Sequence, residues 1–432
     1  MKLGNFKLGM ALDMHSRLKL SYDEICFLNN INVFKNILKK EGKCMLHNFD
    51  ESINRIGTDS DKWDNEGKGG LLIPLGIADT DYKAPREVLD AVKRKVDFGV
   101  FGYGVFPHER FTRAIKGWYG RRHIIDIRED EISYAPGLMT GALWMFLDAY
   151  TNPGDKVVIQ PPVYATFKKV IKKFNRKAVD NPLLFRNGRY HIDFEDLENK
   201  LKMPDVKILL VCNPANPIGR VWTKEEMKKM YDLSRENNVI IISDEIHSDM
   251  IHKDLPFYSF LEFCEEEDKN VVVMNSPSKT FNLASFFSAY VVIKNKKLKS
   301  AFDDIYVKYH FDYNHLGVEA LITAYNECDY YVEELNDYLR KNITFAIEYI
   351  NKNMPKLKVQ YPECSYLLWI NCEELGLNSE LLMVFFEDSG VRVNAGSPYG
   401  KDSGNFVRVN IACTRSLLEL ALKQIKEIYD KQ

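Results

Sequence analysis

The sequence has 432 residues, of which 45% are hydrophobic and 28% are charged, and its formal net charge at pH 7 is −2. This composition is typical of a globular protein with a core large enough for two domains. It provides no basic surface for nucleic acid, and no apolar run reaches the roughly 18 residues that a membrane-spanning helix needs. The eight cysteines are scattered without a C-x-x-C pair, which indicates reduced thiols and a cytoplasmic protein. The nine histidines form no H-E-x-x-H motif, so no metal site is predicted.

Between about residues 130 and 295, short apolar runs alternate with loops and with amphipathic segments of helical period, such as 223–237. Continuous Val and Ile runs separated by helices are typical of parallel strands that are covered on both faces. The predicted strands are 156–160, 206–212, 239–243, 271–274 and 290–293. Because 275–289 is too short for an ordinary crossover helix, the strand at 290–293 is predicted to run antiparallel to its neighbour. The predicted fold class is α/β with a mostly parallel sheet.

The C-terminal part of the chain has a different pattern. Residues 331–354 predict a long amphipathic helix, 362–372 (PECSYLLWINC) is strand-like, and a last helix is expected near 416–430. This order of elements indicates a smaller α+β domain.

Polar or aromatic residues follow the ends of four predicted strands. They are Tyr164 after 156–160, Asn216 in NPANPIG after 206–212, Asp244 and His247 after 239–243, and Ser276 and Lys279 after 271–274. Because ligands of open α/β sheets bind outside the carboxyl ends of the strands, these side chains are expected to meet at one rim.

Each of these residues also has a structural interpretation. Asp244 alone would be a helix N-cap, Tyr164 a core residue, and Lys279 a solvated lysine. The Asn-Pro-Gly segment would form a pair of turns. Ser276 and Lys279 also match the Ser-x-x-Lys pattern of penicillin-binding enzymes, but the sequence lacks the Ser-Asp-Asn and Lys-Thr-Gly partners of that pattern.

One cofactor chemistry uses these residues together. A lysine that forms a Schiff base with the aldehyde of pyridoxal 5′-phosphate (PLP) needs a site that lowers its pKa, and Lys279 stands between two apolar strands. Asp244 would keep the pyridine nitrogen protonated, so that the ring acts as an electron sink. The amide of Asn216 would donate to the 3′-oxygen, and Tyr164 would stack on the ring.

The phosphate of PLP needs backbone N–H groups and hydroxyls. The segment 135–142 (APGLMTGA), which includes Met139 and Thr140, precedes an apolar helical run and is predicted to be such a loop. Ser276 would add a hydroxyl. The sequence therefore predicts a PLP site at the strand ends.

The motifs NPANPIG, SDEIH, SPSKTFN and FVRVNIA resemble, in order and spacing, those of the fold-type I PLP enzymes of the class I and II aminotransferase superfamily. The resemblance extends from about residue 46 to the C-terminus. The segments NFDESINRIGTDSDKWD, IPLGIADTDYKAP, QPPVYATF and SPSKTFNLA are similar to the MalY/PatB-type branch, the cystathionine β-lyases or C–S lyases. This resemblance implies a large PLP-binding domain with a seven-stranded type of sheet at 86–325. It also implies a smaller domain formed by an N-terminal arm at 46–85 and by 326–432.

The resemblance also implies roles for individual residues. Lys279 would carry the cofactor and act as the catalytic base, Asp244 would bind the pyridine nitrogen, and Asn216 would donate to the 3′-oxygen. Arg408, in FVRVNIA, would bind the α-carboxylate of an amino-acid substrate in bidentate fashion, beside Asn216. Tyr103 would reach the phosphate of the neighbouring subunit's cofactor, which implies a homodimer with shared active sites.

The sequence departs from its relatives around this core. His247 stands where many relatives have a tyrosine near the cofactor oxygen; this branch typically has the histidine, and a structural role for it is left open. Gly76, expected at the substrate, replaces a tryptophan near the substrate entrance. Phe286 and Phe287 occupy the region in which many aminotransferases have a phosphate-binding arginine. These differences predict an altered substrate pocket and phosphate site around an intact catalytic core.

Residues 1–45 lie outside the resemblance and form an extension of uncertain status. A purine-rich nucleotide sequence that resembles a ribosome-binding site would encode the residues KKEGKC before Met45. We therefore expect Met45 to be the native start. The alternative is an accessory pair of helices within 21–40.

The resemblance implies β-elimination on a sulfur-containing amino acid of the cystathionine or cysteine type, with release of a thiol, pyruvate and ammonia. An aminotransferase is the alternative, since returning the proton to the cofactor would give transamination at the same site. A third interpretation, from the altered pocket and the extension, is a PLP-fold protein that binds or regulates with little catalysis.

Overall fold

The computed structural model describes residues 46–252, 254–264 and 270–432. Two compact units divide the chain, Met1–Asn48 and Phe49–Gln432. All strands and helices of the described residues belong to the second unit. The two expectations for residues 1–45, a native start at Met45 or a pair of accessory helices, lie outside the described residues.

The strands are short, as is usual for a covered sheet. In chain order they are β1 (Ile73–Pro74), β2 (Ile132–Ala135), β3 (Lys156–Ile159), β4 (Lys177–Asp180), β5 (Leu184–Arg186), β6 (Arg189–His191), β7 (Val206–Cys212), β8 (Ile240–Asp244), β9 (Val271–Asn275), β10 (Ala289–Ile293), β11 (Lys358–Val359), β12 (Leu367–Asn371), β13 (Val391–Arg392), β14 (Asn394–Ala395) and β15 (Phe406–Asn410).

The α-helices lie between the strands and after them. In chain order they are α1 (Arg86–Phe98), α2 (His108–Arg122), α3 (Leu143–Tyr150), α4 (Thr166–Lys173), α5 (Phe194–Leu201), α6 (Lys224–Glu236), α7 (Lys296–Lys308), α8 (His315–Glu327), α9 (Asp329–Asn353), α10 (Ser379–Asp388) and α11 (Arg415–Tyr429). Two single-turn π-helices, Asp61–Glu66 and Leu138–Ala142, become important at the site.

The centre of the fold is a seven-stranded sheet in the order β2-β10-β9-β8-β7-β3-β4. Strands β4, β3, β7, β8 and β9 are parallel to one another, whereas β10 runs antiparallel to both β9 and β2. The α/β class and the antiparallel strand at 290–293 are therefore confirmed. Because β7, β8 and β9 are parallel, their carboxyl ends lie at the same edge of the sheet.

Both faces of this sheet are buried, which explains its continuous apolar strands. On β7, Ile208 and Leu210 point into a core shared with α3 and α7. Leu209 and Val211 point into a second core on the other face, which extends through α8 and α9 to the C-terminal strands. Since successive side chains of a strand alternate between faces, a sheet covered on both sides needs apolar residues at every position.

The C-terminal region forms an antiparallel sheet in the order β11-β12-β15-β14. The three C-terminal predictions are confirmed in type, because 331–354 lies in α9, 362–372 contains β12, and 416–430 lies largely in α11. Strand β1, from the N-terminal segment, pairs in parallel with β13. This pairing brings the segment after β1 to the same edge as the carboxyl ends of the central strands.

No helix among the described residues combines the length and apolar character that crossing a membrane requires.

Candidate active site

A cavity of about 710 Å³ lies at the carboxyl ends of the central strands. Tyr164 reaches it from the segment after β3, Asn216 from the segment after β7, and Asp244 from the end of β8. Ser276 and Lys279 reach it from the loop between β9 and β10. The structure thus brings together five of the six side chains that were expected at one rim, and the sixth, His247, lines the same cavity.

Lys279 lies on the loop that joins the antiparallel strands β9 and β10. Its Nζ donates a hydrogen bond of 2.6 Å to the carbonyl of Ala78. The next residue, Thr280, donates from its hydroxyl to Asp249 Oδ2 at 2.9 Å, which fixes the loop. Burial and the positive charge of Arg408 lower the pKa of Lys279 to about 8. About a tenth of the amine is therefore uncharged at pH 7, far more than for an ordinary lysine, and is able to act as a nucleophile or base.

Asp244 is the last residue of β8, and 3% of its surface is exposed. Burial raises the pKa of its carboxyl to about 7, although a hydrogen bond from the Ile246 N–H and the charge of Lys279 both lower it. A buried carboxylate is stable only beside a cation or a strong donor. The position therefore suits a partner that carries a protonated nitrogen.

Arg408 projects from β15 of the smaller sheet and is 3% exposed. Its two terminal nitrogens donate to Asn216 Oδ1 at 3.2 Å and to the Gly76 carbonyl at 2.9 Å, and its guanidinium lies 5.1 Å from the centre of the Tyr399 ring. Within the described residues, its Nε has no hydrogen-bond partner and the guanidinium has no carboxylate in ion-pair contact. A substrate carboxylate would satisfy this buried cation.

Asn216 both contacts Arg408 and lines the cavity. Its amide oxygen accepts from Arg408, so the amide NH₂ group remains as a donor. Tyr164 is half-buried on the cavity wall, and its ring meets that of Phe167 edge-on at 5.7 Å. One amide donor and one aromatic ring thus border the cavity near Asp244.

His247 also lines the cavity and is 2% exposed. Burial and the nearby charges of Lys279 and Arg408 lower the pKa of its imidazole to about 3, so the ring is neutral at physiological pH. Its Nδ1 is buried and has no hydrogen-bond partner in the described part of the chain. A neutral imidazole with one unpaired nitrogen is suited to contact a ligand oxygen or nitrogen.

The segment predicted to hold phosphate forms the π-helical turn Leu138–Ala142, which continues directly into α3. Met139 and Thr140 of this turn line the cavity. Gly137 precedes it with φ +89°, and a Cβ there would lie 2.7 Å from Thr140 Oγ1, so the turn requires glycine at this position.

Ser276 lines the cavity near this turn, but its hydroxyl is already engaged. It donates to the Ser288 carbonyl at 2.8 Å and accepts from the Ser278 N–H at 3.1 Å. Ser278 also lines the cavity, and its own hydroxyl is not part of these two bonds. The hydroxyl of Ser278 is thus at least as available to a phosphate as that of Ser276, which the sequence indicated.

Two of the predicted residues do not line the cavity. Tyr103 is fully exposed, away from the cavity of its own chain. Gly76 contributes its carbonyl, which accepts from Arg408 and from Asn394 Nδ2 at 3.1 Å. The space that a side chain at residue 76 would need is occupied by Glu66, whose Oε1 lies 1.9 Å from the position of a Cβ there.

Several residues that line the cavity were missed by the sequence reasoning. They are Asp61, Lys169, Ser278, Asn394 and Tyr399. Ser278 stands inside the SPSK motif, and a search for every hydroxyl beside the lysine would have found it. Asp61 lies in NFDESINRIGTDSDKWD, which carries the family resemblance but does not mark Asp61 as a site residue. Lys169, Asn394 and Tyr399 come from segments without a local signal, and only the folded chain brings them to the cavity.

The residues of the cavity fit PLP. They combine a low-pKa amine, a buried carboxyl in need of a protonated partner, an amide donor, an aromatic wall and a turn with adjacent serines. A metal-dependent alternative lacks ligands, because the described residues contain no group of three or more His, Cys, Asp or Glu side chains that would hold a metal ion.

Comparison with known proteins agrees with this geometry. The model of the family "Aminotransferase class I and II" matches residues 72–425. The chain is 36% identical to cystathionine beta-lyase PatB of Bacillus subtilis over 387 residues, which cover 88% of this chain and 99% of the relative. It is 30% identical to protein MalY of Escherichia coli over 382 residues, or 87% of this chain and 96% of MalY. The crystal structure of cystalysin from Treponema denticola, which contains a pyridoxal 5′-phosphate cofactor, superposes with a TM-score of 0.86 and 30% identity, covering 90% of this chain and 100% of that chain.

Proposed function

The chain belongs to the class I and II aminotransferase family, in the branch of PatB and MalY, and we propose that it is a PLP-dependent carbon–sulfur lyase. It releases a thiol, pyruvate and ammonia from a cysteine-type amino acid. The observation that carries the proposal is that one cavity holds both the low-pKa amine of Lys279 and the guanidinium of Arg408, which has no carboxylate partner among the described residues. Such a pair is suited to hold an α-amino acid by its carboxylate and to remove its Cα proton.

When bound, PLP supplies an electron sink that stabilises negative charge at the substrate Cα. Arg408 holds the substrate α-carboxylate, with the Asn216 amide beside it. The uncharged Nζ of Lys279 accepts the proton from Cα. Asp244 holds the pyridine nitrogen in its protonated form by a charge-assisted hydrogen bond. The bond between Cβ and sulfur then breaks with its electron pair on sulfur, and the remaining three-carbon fragment is hydrolysed to pyruvate and ammonia.

Remaining groups of the cavity have supporting roles in this proposal. Met139 and Thr140, on the turn before α3, bind the phosphate together with the serines of the Lys279 loop. Tyr164 stacks on the ring, and the neutral imidazole of His247 faces the cofactor near its 3′-oxygen. The PLP-binding domain is taken as 86–325, and the smaller domain as 46–85 with 326–432; the pairing of β1 with β13 supports the joining of these two segments.

The test is the formation of pyruvate from cystathionine, cysteine and cystine by the purified protein. We expect pyruvate and ammonia in equal amounts without any 2-oxo acid acceptor. The protein should be yellow, and Lys279→Ala should lose both the visible absorbance of the bound cofactor and the activity. Glutamate formed from 2-oxoglutarate without pyruvate would establish the aminotransferase alternative instead. A protein that takes up no PLP would contradict both.

The protein is further proposed to act as a homodimer. Within 96–105, the large apolar side chains of Phe98, Val100, Phe101, Tyr103 and Val105 are all more than half exposed. A contiguous apolar patch of this kind marks an interaction site. A second copy would cover it and would bring Tyr103 to the phosphate of the partner's cofactor.

Light scattering should give twice the chain mass of 50.2 kDa. Tyr103→Phe should weaken PLP binding without changing the mass, whereas Phe101→Asp should shift the mass towards the monomer. A monomeric wild-type protein with full activity would contradict the shared site.

We also propose that the protein is cytoplasmic. Cys212, Cys364, Cys372 and Cys413 are free and buried. Unpaired buried thiols are typical of a reducing compartment.

A further inference from the structure

The phosphate end of the cavity is short of positive charge. The ring of Phe287 faces the turn there, since its Cδ1 would lie 3.5 Å from a Cβ on Gly137. Phe287 has φ +47° and is 56% exposed, so a large apolar side chain lies at the surface beside the turn proposed to bind phosphate. The phosphate monoester of PLP carries nearly two negative charges at neutral pH. A cation close to this turn would stabilise it.

Of the described residues that line the cavity, three carry a cationic side chain: Lys169, Lys279 and Arg408. Lys279 donates to Ala78 and is the residue that reacts with the cofactor aldehyde. Arg408 donates to Asn216 and Gly76, and is assigned to the substrate carboxylate. Lys169 is the one cation of this set that has no assigned partner.

Lys169 lies on α4, which packs against the turn Leu138–Ala142. The two elements are fixed to each other, because Phe174 at the end of α4 stacks on Trp144 of α3 with ring centres 5.5 Å apart and planes 5° apart. Trp144 in turn donates from Nε1 to the Thr140 carbonyl in the same turn. These contacts hold α4 against the turn proposed to bind phosphate.

The neighbouring lysine provides a contrast. Lys168 forms an ion pair of 2.7 Å with Asp180 and does not line the cavity. Lys169 lines the cavity, and within the described residues it forms neither a hydrogen bond nor an ion pair. Its ammonium is thus available to an anion inside the cavity.

We propose that Lys169 is a phosphate-binding residue of this chain, whose ammonium neutralises the cofactor phosphate at the wall where Phe287 provides no charge. This assignment rests on the proposed function in so far as PLP is the ligand. The same ammonium would also suit a second carboxylate at the far end of a long substrate, so the experiment separates these two anions.

The test compares two ligands that differ only in the phosphate. Dissociation constants for PLP and for pyridoxal are measured by absorbance titration of the cofactor-depleted full chain, with wild type, Lys169→Gln and Lys173→Gln. Lys173 lies one turn further along α4 and does not line the cavity, so it is the matched control. We expect Lys169→Gln to weaken PLP binding about tenfold and to leave pyridoxal binding unchanged. Lys173→Gln should change neither constant.

A second substitution, which returns a positive charge to the same turn, distinguishes the loss of charge from misfolding. Adding Phe287→Arg to Lys169→Gln should recover most of the lost PLP affinity, since the new guanidinium would face the same turn. Equal losses for PLP and pyridoxal, or no loss for either, would overturn the assignment. So would an unchanged PLP constant combined with a raised KM for cystathionine, which would place Lys169 at the substrate instead. A wild-type protein that forms no chromophore with PLP would contradict the proposed function itself. This outcome differs from those that contradict only the role of Lys169, because they all require wild-type protein that binds PLP.

Discussion

Lys279 is held by Ala78, a residue 201 positions away in the sequence, through a hydrogen bond of 2.6 Å from Nζ to the backbone carbonyl. The same carbonyl accepts a bond of 3.1 Å from the hydroxyl of Tyr366. The amine is thus positioned by the segment after β1, and not only by its own loop. The stability of that segment should therefore matter to the chemistry.

The segment is anchored by a buried ion network. Lys62, with a fully buried side chain, donates to Asp81 Oδ2 at 2.8 Å, and Arg55 pairs with the other oxygen of the same carboxylate at 2.8 Å. Removing one partner of a buried ion pair leaves an uncompensated charge, so Lys62→Met should cost about 3–5 kcal/mol of folding free energy. Urea unfolding measures it. Asp90→Asn, which breaks the exposed pair between Arg86 and Asp90, should cost less than about 1 kcal/mol. Equal costs for the two variants would show that the network does not anchor the segment.

The pKa of Lys279 sets the pH at which the cofactor-depleted protein captures PLP. The uncharged amine attacks the aldehyde, and burial together with Arg408 lowers the pKa of Lys279 to about 8. The capture rate should rise about tenfold per pH unit below pH 8 and level off above it. Because the Arg408 charge contributes to the lowered pKa, Arg408→Gln should move the midpoint to higher pH. Stopped-flow absorbance measures both curves, and an unmoved midpoint would assign the shift to burial alone.

Much of the site was accessible from the sequence because its residues follow strands directly. Asn216, Asp244 and Lys279 could be placed at one edge from the alternation of apolar runs and helices, since parallel strands share their carboxyl ends. The Ala78 carbonyl could not be placed in this way, because a backbone oxygen has no sequence signature. Lys169 was also missed, since its helix reaches the cavity only through packing against the turn Leu138–Ala142. Contacts between distant segments depend on the complete fold, which local patterns do not encode.

Comparing Asp244 with its neighbour Glu245 tests which of the two buried carboxyl groups is needed for pyruvate release. Asp244 lines the cavity, whereas Glu245 accepts from the Ser259 hydroxyl at 2.9 Å and lies outside the cavity wall. Asp244→Asn should reduce pyruvate release at least about a hundredfold, because an amide cannot keep the pyridine nitrogen protonated. Burial raises the pKa of Glu245 to about 8, so it is largely neutral at pH 7, and Glu245→Gln should leave the rate within about threefold. The initial rate of pyruvate formation with saturating PLP measures both variants. Similar losses in the two would indicate a structural role for Asp244.

Gly76 and Glu66 are coupled through the space beside Arg408. A Cβ on Gly76 would lie 1.9 Å from Glu66 Oε1 and 2.7 Å from Asn394 Oδ1. Glu66 is held in place because its Oε2 accepts from the Ile77 N–H at 2.8 Å. Gly76→Ala should therefore displace the carboxylate and disturb the Gly76 carbonyl that binds Arg408, which raises KM for the amino-acid substrate.

The cost in folding free energy should be about 1–3 kcal/mol, as for other overpacked sites. Combining Gly76→Ala with Glu66→Ala makes room for the new methyl group, so the double variant should be less destabilised than the sum of the two single variants. Gly120→Ala is the matched control, because a Cβ there meets nothing within 4 Å and the residue lies inside α2. It should stabilise the protein by up to about 1 kcal/mol and leave KM unchanged. If the losses of folding free energy in Gly76→Ala and Glu66→Ala simply add in the double variant, Glu66 moves aside freely. Glycine at residue 76 would then not be required by the position of Glu66.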